Sequence, residues 1–123
     1  MSHRENAAVF IAAMLNASTA AHFLHLSTKS YAEHQALGAF YDDILELADS
    51  WAEAYQGHHG VIPLELYPDE FKVQRNAKQF LLALQQFVKS VRKRLPDDTD
   101  LQNIIDEIAA LIATTLYKVE NLK

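Results

Sequence analysis

The chain of 123 residues contains no cysteine, three glycines, three prolines and one tryptophan. Without cysteine there is no disulfide framework, no thiolate zinc site, no cysteine-ligated iron-sulfur cluster and no thiol nucleophile. Glycine and proline are too scarce for an all-β chain that turns every ten residues or so, which makes long helices the expectation. Basic side chains are also few: 11 Lys and Arg stand against 16 Asp and Glu, a net charge of −5. That balance argues against nonspecific nucleic-acid binding, which depends on cations that neutralise phosphates. Residues 7–15 (AAVFIAAML) are apolar, but Glu5 precedes them, Asn16, Ser18 and Thr19 follow, and the flank lacks the basic cluster of a secretion signal. No run reaches the roughly 18 to 20 apolar residues of a membrane span. A soluble, cytoplasmic protein is therefore expected. Gly-rich phosphate loops, the G-x-S-x-G elbow and the H-E-x-x-H helix are missing too.

Half the residues are apolar, enough at this length for a single domain over residues 1–123 with one core. Ser2-His3-Arg4-Glu5, Ser30-Tyr31-Ala32-Glu33 and Thr99-Asp100-Leu101-Gln102 each match a capping box, and Pro68-Asp69-Glu70 supplies a fourth helix start. Apolar residues then recur in steps of three and four: Phe10, Met14, Ala17, Ala21 and Leu24; Leu37, Phe40, Ile44, Leu47 and Trp51; Ala77, Phe80, Leu84, Phe87 and Val91; and Leu101, Ile104, Ile108, Leu111, Thr115 and Val119, flanked by Ile105, Ile112 and Leu116. The spacing predicts helices over about 3–27, 31–56, 69–94 and 100–121, each about 33 to 39 Å long at the helical rise, as suits a four-helix bundle. Short joints near 28–30 and 95–99 imply two antiparallel hairpins. Between them Gly57–Tyr67 (GHHGVIPLELY) is long enough to run most of the bundle length and carries Val61, Ile62, Leu64 and Leu66, as expected of a strap lying on the bundle. One long crossover between helices two and three is the ferritin-like arrangement; a plain up-down bundle with a compact apolar loop is the alternative.

Six histidines leave imidazole and carboxylate as the available metal chemistry, suited to Fe(II), Mn(II) or Zn(II). The stretch from His22 to Glu53 holds His22 and His25 three residues apart, His34 in the first turn of the second helix, and Asp49 and Glu53 four residues apart further along it. His34 and Asp49 stand about 22 Å apart along one helix axis and cannot hold the same ion. A site using all these groups needs the His end of one helix to meet the carboxylate end of a second copy, antiparallel about a two-fold axis. Asp42, Asp43 and Glu46 read as a solvated helix face. His58-His59 reads as a Gly-flanked turn, and Lys89, Arg92, Lys93 and Arg94 as cations opposing the negative end of a helix dipole.

The segment His25-Leu26-Ser27-Thr28-Lys29, His34, Tyr41 and ADSWAEAYQG with Asp49 and Glu53 resembles the Dps proteins, small ferritin-like iron-oxidising proteins of bacteria, and short ferritin-like proteins associated with phages. The resemblance covers about 35 residues. It implies that His25 and His34 of one chain join Asp49 and Glu53 of a two-fold mate in a metal site, with His22 in reserve for His25. It further implies iron as the metal, a ferroxidase-type activity, and a homodimer or larger homo-oligomer in the cytoplasm, that of the host if the chain is phage-encoded. Leu26 stands where the family usually has Trp, Gly38 where it commonly has an acid that helps a second metal, and the joint between the histidines is about three residues shorter. The lysine-rich tail is absent, so DNA binding is not implied. These departures motivate a second expectation, a noncatalytic helical interaction or phage accessory protein without the metal.

Overall fold

The computed structural model describes residues 2–69 and 74–122. Among them the chain is all-helical, with four long helices and no strand: α1 (His3–Ser27), α2 (Tyr31–His59), α3 (Ala77–Val91) and α4 (Thr99–Asn121). Two short 3-10 turns, Leu64–Leu66 and Arg92–Arg94, lie in the connection after α2 and at the end of α3.

Two of the expected caps form. The Ser2 Oγ accepts the Glu5 backbone N–H at 3.2 Å while the Glu5 carboxylate accepts the Ser2 N–H at 3.3 Å, a closed capping box. Ser30 Oγ accepts the Glu33 N–H at 3.2 Å and starts α2. The α4 box does not form. Asp98 is the N-cap there, without a side-chain cap bond, and Gln102 Nε2 instead donates to the Pro96 carbonyl at 3.0 Å. α3 begins well after the expected start: Pro68 and Asp69 are not helical, Glu70 lies outside the described residues, and Asn76 caps the helix by accepting the Gln79 N–H at 3.0 Å. The reason is the core pattern. Gln74, Arg75 and Asn76 are exposed, and the buried stripe of Ala77, Phe80, Leu81, Leu84, Val88 and Val91 starts only at the cap. With 15 residues, α3 is about 22 Å long, shorter than the matched helix expected.

α1 packs along α2, α2 along α4 and α4 along α3, with a smaller contact between α1 and α3. All four helices feed one core around Phe10, Met14, Phe40, Ile44, Trp51, Leu81, Ile105 and Ile108. α1 is long and apolar enough to cross a membrane by those two measures; here Ala7, Phe10, Ile11, Met14, Ala17, Ala21 and Leu24 form an inner wall of the bundle, while Leu15 and Phe23 are exposed. The inward stripe of α4 is rotated from the expected one. Leu101, Ile105, Ile108, Ile112, Thr115 and Leu116 are buried, whereas Ile104, Leu111 and Val119 pack at its edge, because α4 is wedged between α2 and α3 and turns its face to both. Cross-helix pairs locate the ends. His58 and His59 at the close of α2 meet Asp98 and Asp100 at the opening of α4. Phe40 meets Phe80 near the start of α3, with ring centroids 6.2 Å apart, and Lys78 of that helix pairs with Glu120 late in α4 at 3.7 Å.

Two further expectations are corrected. His58 and His59 belong to the last turn of α2, which ends at Gly60 with φ +95°. The apolar connection does not lie down along its whole length: Ile62 is buried and Leu66 half-buried, but Val61 and Leu64 are 75% and 82% exposed.

Candidate functional site

The joint between α1 and α2 brings His25 and His34 face to face. Their rings stack with centroids 3.7 Å apart and planes 17° apart. His25 Nδ1 donates to the His34 carbonyl at 2.6 Å, and His34 Nδ1 donates to the His25 carbonyl at 2.8 Å. A carbonyl oxygen only accepts, so each Nδ1 carries the hydrogen and, in the neutral ring, each Nε2 keeps its lone pair. This is the outer-shell arrangement that fixes the tautomer of a metal-ligating histidine. Gly38 makes room for it, since a Cβ there would stand 3.1 Å from His25 Cε1 and 3.2 Å from His25 Nδ1. His22 stacks on Tyr41, with centroids 4.0 Å and planes 6° apart, and its ring is 6.0 Å from that of His25. Ser18 Oγ donates to the Tyr41 carbonyl at 2.7 Å and ties the two helices below the joint.

The chain does not bring Asp49 and Glu53 to the histidines. Both are exposed on α2, and neither forms an ion pair among the described residues. Among the described residues no three His, Asp or Glu side chains converge so as to hold a metal ion. Each imidazole has Nε2 left as its ligating atom, but the rings are stacked nearly parallel, so one must turn for both in-plane lone pairs to meet at one ion.

A second cluster, which the sequence pattern did not assemble, occupies the opposite end of α2. His58 Nε2 lies 2.8 Å from Asp100 Oδ2 and its Nδ1 3.8 Å from Asp98 Oδ2, while His59 Nε2 is 2.9 Å from Asp98 Oδ1. His3 Nδ1 is hydrogen-bonded to the Tyr55 hydroxyl at 2.8 Å, and the His3 and His59 rings meet edge to face. Arg4 donates to the His59 carbonyl and, at 2.8 Å, to the Val61 carbonyl, satisfying the end of α2. The Asp100 hydrogen bond and charge raise the His58 ring above its ordinary pKa; bonded imidazole lowers the carboxyls in return, His59 acting on Asp98 and His58 on Asp100. Burial raises the Tyr55 phenol, against the opposing charge of Arg4. Each residue is visible in the sequence, but only the packing of α2 on α4 joins them.

No curated protein and no solved structure matches the chain. A family model matches residues 25–119, from His25 through most of α4. The chain belongs to that family, which is described as a family of unknown function (DUF5856).

Proposed function

We propose that this protein is a ferritin-like bundle that binds iron between two copies, with His25 and His34 of one chain facing Asp49 and Glu53 of the other. The observation that carries the reading is the reciprocal bonding at the joint: both Nδ1 atoms are held by carbonyls, so both Nε2 atoms are available. One imidazole would turn out of the stack so that both Nε2 atoms hold one Fe(II), the two carboxylates would balance its charge, and ferroxidase turnover by dioxygen or peroxide would be a further property of such a site. The ferritin-like crossover is supported by the end contacts, which put the close of α2 beside the opening of α4 and the opening of α3 beside Phe40 and Glu120. His34 to Leu45 is close to three helical turns, so His34, the 48%-exposed Leu45 and Asp49 lie along one outward strip of α2. Imidazole at one end of the strip and carboxylate at the other are complementary when a second copy is inverted, with Leu45 between them and Asp42 beside it.

The test is iron titration with metal analysis on the wild type, His34→Ala and Glu53→Ala. Loss of affinity by about tenfold or more in both variants is expected, since even outer-shell changes cost that much. Equal iron content in all three rejects the reading. A second reading, a noncatalytic helical interaction module, draws on the same joint: stacking and two carbonyl bonds satisfy both rings without an ion. A monomer in solution that takes up no iron would establish it over the first.

A further inference from the structure

The geometry points to His58 as a proton-operated clasp that fastens the end of α2, where the connection to α3 begins, onto the start of α4. Both of its ring nitrogens face carboxylates, Nε2 toward Asp100 at 2.8 Å and Nδ1 toward Asp98 at 3.8 Å. A neutral imidazole has one N–H and must turn a lone pair toward one of these anions; only the imidazolium presents a donor to each. The positive ring also sits in the last turn of α2, at the negative end of its dipole, while Asp98 and Asp100 sit at the positive end of α4. Protonation therefore improves three electrostatic relations together, those of the ring with Asp100, with Asp98 and with the end of α2.

His59 on α2 bonds to Asp98 and holds that carboxylate in place. Tyr55, one turn earlier, is bonded to His3 from α1. Arg4, also from α1, opposes a second cation, but its guanidinium is directed at the His59 and Val61 carbonyls. Asp97, next to the N-cap of α4, is exposed. Because the folded-state value of His58 is raised, its stabilisation is complete below the ordinary histidine value of about 6.5 and is lost as pH rises through the higher folded value. The carboxyls are lowered, so their share is present above the ordinary aspartate value of about 3.9 and fails only as pH falls through the folded values. The clasp is thus tight in mildly acidic solution and loosens toward alkaline pH. It does not depend on the iron reading.

Hydrogen exchange tests it on the full chain. The reporters are the Gly60 N–H, bonded to the Gln56 carbonyl, and the Ile62 N–H, bonded to Gln56 Oε1. After correction for intrinsic exchange, and relative to core amides of α3, their protection should be about two- to fivefold higher at about pH 5.5 than at about pH 8, the range an exposed ion pair supports. His58→Gln and Asp100→Asn should each flatten that difference. Equal protection at both pH values in the wild type, or an undiminished difference in His58→Gln, overturns the clasp.

Discussion

Gly38 shows how one hydrogen atom in place of a side chain decides what the joint holds. Inside a helix, glycine to alanine ordinarily gains about 1 kcal/mol. Here the added methyl would press on the His25 ring at 3.1 Å, so Gly38→Ala should return little of that gain and should displace the ring. Denaturant midpoints together with the NMR signal of the His25 Nδ1 hydrogen check this; a full gain with an unchanged signal would show that the ring has slack. The same contact gives the missing acid a physical sense. Where the resemblance leads one to expect a carboxylate beside the second histidine, this chain has used the space for an imidazole. In the core, Ile108 is completely buried between helices, and Ile108→Ala should cost about 2 to 5 kcal/mol in denaturation experiments.

Among the elements, α3 is the one whose beginning the chain conceals. Asn76→Ala should lower stability by about 1 kcal/mol through loss of the bond to the Gln79 N–H, measured as a shift in the urea midpoint. α1 and α2 were legible because each start combines a hydroxyl cap with an immediately following apolar rhythm. In the third case the signals separate: Pro68 and the acids announce a helix, but the apolar rhythm waits until Ala77, and burial outweighs local preference. α4 was legible in extent and ambiguous in rotation, since Ile104 adjoins Ile105 and Leu111 adjoins Ile112, and its neighbours choose between them. The histidine pair could be read from spacing. Its ring-to-carbonyl bonds could not, because they depend on the backbone path through Thr28–Ser30, and the His58 cluster required knowing which helix lies beside α2.

For the molecule as a whole, the proposed site makes assembly a condition of chemistry. Leu45 is exposed in the single chain yet central to the proposed α2 contact, so Leu45→Glu should leave the helical content unchanged and shift the protein to monomer in sedimentation experiments. Iron binding should fall with it, because a two-fold axis repeats each unfavourable change. Unchanged association would remove α2 from the contact. Charge works against the contact at its centre: Asp42 is exposed midway between His34 and the Asp49–Glu53 end and would face its own copy across the axis, so association should strengthen in Asp42→Asn.

Trp51 supplies a way to watch these events. It is the chain's only tryptophan, fully buried, with its ring against Phe10 and Tyr55 and its indole N–H without a partner among the described residues. An indole so shielded emits toward the blue and reddens when water reaches it. Because the chromophore stands two residues from Glu53 and seven from His58 on the same helix, its colour and its quenching give a single optical channel for unfolding, for the iron binding proposed at the carboxylate end of α2, and for the proposed loosening at that helix's terminus.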